Sequence, residues 1–108
     1  MKTDASALSR KRWASLSPSA AEFLAGELIG EKARVEWSSD KGFQGLEGKI
    51  TDETKNTFVL ETGKGRKTVP KNGCVFFFLG AGVKADGELL VSRPEDRTKK
   101  IARLSARR

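Results

Sequence analysis

The chain has 108 residues, a length that supports one domain with a single modest hydrophobic core. Its single cysteine excludes an internal disulfide framework, and the absence of histidine removes the commonest catalytic base and metal ligand. The net charge of +7 lies at the two ends: residues 1–16 carry four basic and one acidic side chain, residues 17–90 ten and eleven, and residues 91–108 seven and two.

Residues 1–16 are predicted to form a basic, flexible tail, and a short helix follows it. The helix begins at a Ser-Pro pair, which is typical of a helix start. Phe23, Leu24 and Leu28 then recur at helical spacing, which predicts a helix over residues 18–28.

Alternating apolar and polar residues predict the next three strands. In residues 32–39 this alternation places Val35 and Trp37 on the same face. Residues 45–61 alternate on both sides of the polar turn "DETKN", and this pattern predicts a β-hairpin.

A glycine inside this predicted hairpin needs a reason, because it costs a strand packing and backbone entropy. We interpret Gly48 as a point of strand curvature, which a small barrel requires, rather than as a ligand contact. Gly45 and Gly87, which lie in predicted turns, are likewise expected to be structural.

Residues 67–70 predict a short strand that ends in proline, and the unbroken apolar run 74–80 predicts a strand covered on both faces. Asp86 and Gly87 form the dipeptide most favoured in tight hairpins. A capping-box spacing around Pro94 predicts the start of a second helix.

Five or six short strands at this spacing predict a mostly β protein. We expect a small, closed or nearly closed antiparallel barrel with short N- and C-terminal helices. The predicted organisation is a basic tail at 1–16, a helix and barrel over 17–93, and a basic C-terminal helix or tail at 94–108.

The sequence offers no catalytic or metal-binding constellation. Cys74 lies in the most apolar strand, where a cysteine is usually a small buried hydrophobe. Asp52 and Glu53 are adjacent acids that we place in a turn rather than at a metal site. We expect no catalytic residue, no metal ligand and no cofactor in this chain, and no enzymatic activity from the protein alone.

Two cationic ends on a near-neutral middle indicate a polyanionic partner, and nucleic acid fits best. The alternative is that the charged ends only keep the protein in solution. The first residues lack the apolar core of a signal peptide, and no apolar run approaches the length of a membrane span, so we expect a soluble cytoplasmic protein.

The segments "ELIGEKARVEWSSDKGFQGLEGKITDETKNTFVLET", "VPKNGCVFFF" and "DGELLVSRPEDRTKK" follow one another along the chain. In this order they resemble the Sm-like protein subunit shared by archaeal and eukaryotic ribonuclease P, the archaeal ribonuclease P protein component 1 family. The similarity covers about residues 27–100. It implies a six-stranded Sm-like (SH3-like) barrel flanked by terminal helices.

The same resemblance implies a noncatalytic subunit of a ribonucleoprotein that removes the 5′ leader from precursor tRNA. In that family the RNA carries the catalytic centre with magnesium. The implied partners are ribonuclease P RNA, precursor tRNA indirectly, and a zinc-ribbon protein subunit, and the isolated chain is expected to be a monomer.

Lysine and arginine side chains that contact phosphates release counterions and so supply much of the affinity for RNA. On the C-terminal helix, Arg93, Arg97 and Lys100 share one face and Lys99 and Arg103 another. For the cluster at residues 64–71, the alternative is protection of an edge strand. The predicted RNA contacts are Arg10, Lys11, Arg12, Lys64, Arg66, Lys67, Lys71, Arg93, Arg97, Lys99, Lys100 and Arg103.

The apolar stripe Phe23, Leu24, Leu28 and Ile29 is predicted to contact a protein partner, and its alternative role is to cover the chain's own aromatic strand. Two other functions remain open at this point. One is a ribosome- or translation-associated SH3-like RNA-binding protein, and the other is an adaptor that does not contact RNA.

Overall fold

The computed structural model describes residues 18–106. Along the chain, one helix precedes the six strands and a second helix follows them. The elements are α1 (Pro18–Ala25), β1 (Lys32–Ser38), β2 (Glu47–Glu53), β3 (Thr57–Thr62), β4 (Gly65–Pro70), β5 (Cys74–Phe78), β6 (Val83–Asp86), a 3-10 helix (Gly87–Leu90) and α2 (Pro94–Ala106). No helix within residues 18–106 combines the length and apolar character that a membrane span requires.

The six strands form one antiparallel sheet in the order β4-β3-β2-β1-β5-β6. The prediction of a mostly β protein with two short helices is confirmed. The sheet is not closed into a barrel, because within residues 18–106 β4 pairs with β3 alone and β6 with β5 alone. Pro70 removes a donor from β4, and β6 is only 4 residues long before the chain turns into the 3-10 helix.

A β-bulge in β1 changes which residues of that strand face the core. The pairing of β1 with β5 shifts between Val35 and Trp37. Val35 is buried, whereas Trp37 is 42% exposed and Ser38 takes the next inward position. The prediction that Trp37 shares the face of Val35 is therefore wrong, because one extra residue reverses the alternation.

A second bulge, between Ile50 and Asp52, has the same effect in β2. Ile50 is buried, Asp52 is exposed, and Glu53 is buried at the end of the strand. The two acids lie in β2 and not in the predicted turn, and the bulge turns the Glu53 carboxylate toward the interior.

The core lies between one face of the sheet and the two helices. Phe58 and Phe76 pack edge to face with ring centroids 5.2 Å apart, and Phe23 of α1 packs on Phe78 at 5.3 Å. Ile101 of α2 belongs to the same buried cluster. The C-terminal helix is therefore part of the domain core.

Helix α1 ends at Ala25, before the predicted end at Leu28, and the Gly26 amide donates to the Phe23 carbonyl at 3.1 Å. Helix α2 begins at Pro94 as predicted. Leu28 is nevertheless fully buried, because the chain beyond α1 folds onto the core.

Three glycines were predicted to be structural, and each lies where a side chain would be strained or would collide with backbone. Gly45 has a φ of +86°, which disfavours any other residue. A Cβ on Gly48 would lie 2.7 Å from the carbonyl carbon of Glu61, and one on Gly87 would lie 2.6 Å from that of Lys71. Gly87 opens the 3-10 helix, so the predicted hairpin turn at this dipeptide is wrong.

Candidate nucleic-acid interface

Two of the predicted RNA contacts, Lys71 and Arg97, meet inside the protein around Glu53. Lys71 Nζ lies 2.8 Å from Glu53 Oε2, while Arg97 donates from Nε to Oε2 at 2.8 Å and from Nη2 to Oε1 at 2.9 Å. The side chains of Lys71, Arg97 and Glu53 are 0%, 1% and 1% exposed. We call these three residues the internal charge cluster.

Arg97 also ties the second helix to the end of the first. Its Nη1 donates to the carbonyl of Leu24 and, at 2.8 Å, to that of Gly26. Thr98 Oγ1 donates to the carbonyl of Ala25 at 2.6 Å. The last carbonyls of a helix lack partners within it, so α2 satisfies groups that α1 leaves unpaired.

The internal charge cluster contains two cations and one carboxylate. Burial lowers the pKa of Lys71, although its hydrogen bond to Glu53 opposes that shift. Lys71 Nζ also donates to the Ser92 carbonyl at 3.0 Å and lies 4.8 Å from the centre of the Phe58 ring. The ammonium is therefore held by a carboxylate, a carbonyl and an aromatic face.

The prediction that Lys71 and Arg97 contact RNA phosphates is wrong, because neither nitrogen group reaches the surface. Sequence reasoning also missed Glu53 as their common partner. The bulge that turns Glu53 inward leaves no signal in the amino-acid pattern. The role of Glu53 could have been inferred only after the cations were known to be buried, because buried cations require a nearby anion.

Other predicted contacts are exposed at the β3–β4 hairpin. Lys64 lies in the hairpin turn, and Arg66 and Lys67 lie in β4 at the free edge of the sheet. Arg66 Nε is 3.9 Å from Glu61 Oε1, a pair exposed enough for water to screen it. These three cations remain predicted RNA contacts.

Helix α2 presents a second group of exposed cations, Arg93 before its first turn and Lys99 and Arg103 on its outer face. Lys100 is half-buried, with Nζ 3.3 Å from the Val91 carbonyl, and burial lowers its pKa. These four residues also remain predicted contacts. Arg10, Lys11 and Arg12 of the predicted tail lie outside the described residues.

The predicted protein-contact stripe is largely internal. Leu24 and Leu28 are fully buried, and Phe23 packs on Phe78, so these residues take the alternative role and cover the chain's own core. Ile29, by contrast, is 42% exposed.

Ile29 borders an open cleft of about 400 Å³ between the end of α1 and the start of α2. Ala25, Gly26 and Pro94 supply apolar lining, and Arg97 and Glu53 lie at its base. Glu27 and Glu95 also line the cleft and are exposed, so its rim is acidic.

Cys74 is buried, and its Sγ donates to Ser38 Oγ at 3.4 Å. Burial raises the pKa of this thiol, which agrees with its predicted role as a small buried hydrophobe. Within the part of the chain that the structure describes, no group of three or more Cys, Asp or Glu residues could hold a metal ion.

A small β domain with exposed cations on a hairpin and on a helix is typical of proteins that bind RNA. The chain belongs to the family described as Ribonuclease P/MRP, subunit p29, whose family model matches residues 21–100. The resemblance seen in the sequence is thereby confirmed.

Two similar proteins are both named ribonuclease P protein component 1. That of Methanocaldococcus jannaschii is 48% identical over 80 residues, which cover 71% of this chain and 84% of that protein. That of Pyrococcus abyssi is 51% identical over 77 residues, or 68% of this chain and 60% of that protein. A solved structure of Mth11, a homologue of human RNase P protein Rpp29, is 42% identical, with a TM-score of 0.49 and coverage of 67% of this chain and 97% of that chain.

Proposed function

We propose that this chain is a noncatalytic, RNA-binding protein subunit of ribonuclease P and supports the RNA that removes the 5′ leader from precursor tRNA. The observation that carries the proposal is the family match over residues 21–100. The exposed cations of the β3–β4 hairpin and of α2 support an RNA contact through the sugar-phosphate backbone. The chain itself is proposed to bind no cofactor, and the magnesium of the holoenzyme is assigned to the RNA.

We also propose that the cleft beside Ile29 receives a protein subunit, and that this is the zinc-ribbon subunit implied by the resemblance. An exposed isoleucine next to apolar lining favours burial against protein. The acidic rim of Glu27 and Glu95 repels RNA phosphates and favours basic side chains on the partner. In isolation the chain is proposed to be a monomer.

Affinity purification of the tagged full-length chain from its source cells, followed by sequencing of the bound RNA, tests the main proposal. We expect ribonuclease P RNA to be enriched. Recovery of ribosomal RNA instead supports a ribosome-associated protein, and recovery of no RNA supports an adaptor. Cleavage of precursor tRNA by rigorously RNA-free protein would contradict the noncatalytic role.

A matched pair of variants tests the cleft. Ile29→Ser should weaken retention of the zinc-ribbon subunit, whereas Trp37→Ser should not, although both residues are 42% exposed. Equal retention by the two variants and the unsubstituted protein would remove the cleft as the contact surface.

A further inference from the structure

Two lysines stand directly opposite each other on the exposed face of the sheet. Lys32 of β1 pairs with Lys49 of β2, and both side chains are exposed. Their neighbours Ala33 and Gly48 face the core, so both lysines lie on the face away from the helices. Like charges directly opposite in a sheet destabilise it.

The protein does not neutralise this pair. Among the described residues, no carboxylate oxygen lies within the 4.0 Å ion-pair distance of either ammonium nitrogen. Glu61 stands opposite Lys49 on β3, but its carboxylate is oriented toward Arg66 at 3.9 Å. An anion from outside the chain would remove the repulsion.

The pair belongs to a longer row that crosses four strands. The register places Arg66, Glu61, Lys49 and Lys32 side by side on β4, β3, β2 and β1. At about 4.8 Å between strands the row is about 14 Å long. Three cations therefore face solvent against one carboxylate.

Edge protection does not explain this charge. That role suits Arg66, because β4 is an edge strand. Lys32 and Lys49 lie in β1 and β2, which are paired on both sides and have no free edge to protect. Beyond Lys32, the exposed β5–β6 loop at residues 80–82 reads Gly-Ala-Gly and contributes no large side chain of its own, and the Glu31 carboxylate lies beside Gly80.

We propose that Lys32, Lys49 and Arg66, which we name the cationic row, bind the sugar-phosphate backbone of ribonuclease P RNA. The proposal rests on the proposed function and adds a surface to it that the sequence did not indicate. Lysine acts as a point charge on phosphate, so the contact positions the RNA and does not read its bases.

The test compares two full-length double variants that each remove two positive charges. Lys32→Gln/Lys49→Gln changes the row, and Lys41→Gln/Lys55→Gln changes exposed lysines in the β1–β2 loop and the β2–β3 turn. Affinity for transcribed ribonuclease P RNA is measured across a salt series. We expect the row variant to bind about five- to thirtyfold more weakly than the control variant. The magnitude of its salt slope should fall by about one for each phosphate that the variant no longer neutralises.

A melting experiment at low salt, without RNA, gives a second readout. The row variant should melt at the same temperature as the unsubstituted protein or above it, because the substitutions remove a repulsion. Equal RNA affinity of the two double variants overturns the proposal. So does unchanged RNA affinity combined with weaker retention of other protein subunits, which would make the row a protein contact. If the unsubstituted protein does not bind ribonuclease P RNA, the proposed function itself fails.

Discussion

Replacing Arg97 with methionine should destabilise the fold by about 3–5 kcal/mol, the usual cost of breaking a buried ion pair. Lys71 still neutralises Glu53 in this variant, so the cost comes from acceptors that lose their donors. These are a carboxylate oxygen of Glu53 and the carbonyls of Leu24 and Gly26. A buried acceptor without a partner costs about 1–3 kcal/mol. Because the structure around these three acceptors relaxes in part, we expect each to contribute near the lower end of that range.

Urea unfolding and thermal melting measure this loss. For a domain near this size, 3–5 kcal/mol corresponds to a fall of about 12–40 °C in the melting temperature. The matched control is Lys99→Met on the exposed face of the same helix, which should stay within about 0.5 kcal/mol of the unsubstituted protein. Lys71→Met should cost less than Arg97→Met, because Arg97 Nε still donates to Glu53 Oε2 and the acceptor left without its donor is the Ser92 carbonyl.

A double-mutant cycle separates the interaction between Arg97 and Glu53 from general packing effects. If Arg97 acts through Glu53, the change to methionine should cost less in a Glu53→Gln background, with a coupling of about 0.5–3 kcal/mol. The reasoning is refuted if Arg97→Met unfolds like the Lys99→Met control. It is also refuted if the two substitutions add without coupling.

Gly48→Ala should lower the melting temperature, because its Cβ would lie 2.7 Å from the Glu61 carbonyl carbon, at a cost of about 1–3 kcal/mol. Unchanged melting with weaker RNA affinity would instead make Gly48 a ligand contact. Replacing Lys99 and Arg103 with glutamine should weaken RNA binding and reduce the magnitude of the salt slope by about one for each phosphate left without its cation; equal affinity and slope would exclude this face. Burial lowers the pKa of Lys71 below 10.5, so between the lowered value and 10.5 the unfolded chain binds more protons and the free energy of unfolding should rise with pH. Urea titrations of Lys71→Met should lack that component, and a rise equal to that of the unsubstituted protein would contradict it.

Local patterns in the sequence determined the elements and their order. Alternation with a period of two identifies strands because successive side chains point to opposite faces. The Ser-Pro pair and Pro94 mark both helix starts. Gly48 could be recognised as structural because a glycine inside an alternating strand needs a close approach or a bend, and the backbone of Glu61 supplies the close approach.

The exposure of the charged residues could not be predicted in the same way. Helical geometry places Lys99 and Arg103 on one face, which is exposed, and Arg97 and Lys100 on another, which is buried or half-buried. Arg93, predicted to share the face of Arg97, is exposed. Helical geometry does not say which face meets the core. Arg97 is buried because α2 packs against α1 and finds two unpaired carbonyls and a carboxylate there.

The two bulges determine which side chains of β1 and β2 face the core, which the sequence could not predict. Each inserts one residue into a ladder, which exchanges inward and outward positions beyond it without any change in composition. One bulge exposes Trp37 and the other buries Glu53. The alignment of Lys32 with Lys49 likewise depends on the register of β1 and β2. The sequence determined the elements because their signals are local, whereas the internal charge cluster and the cationic row required the tertiary structure because they join residues distant along the chain.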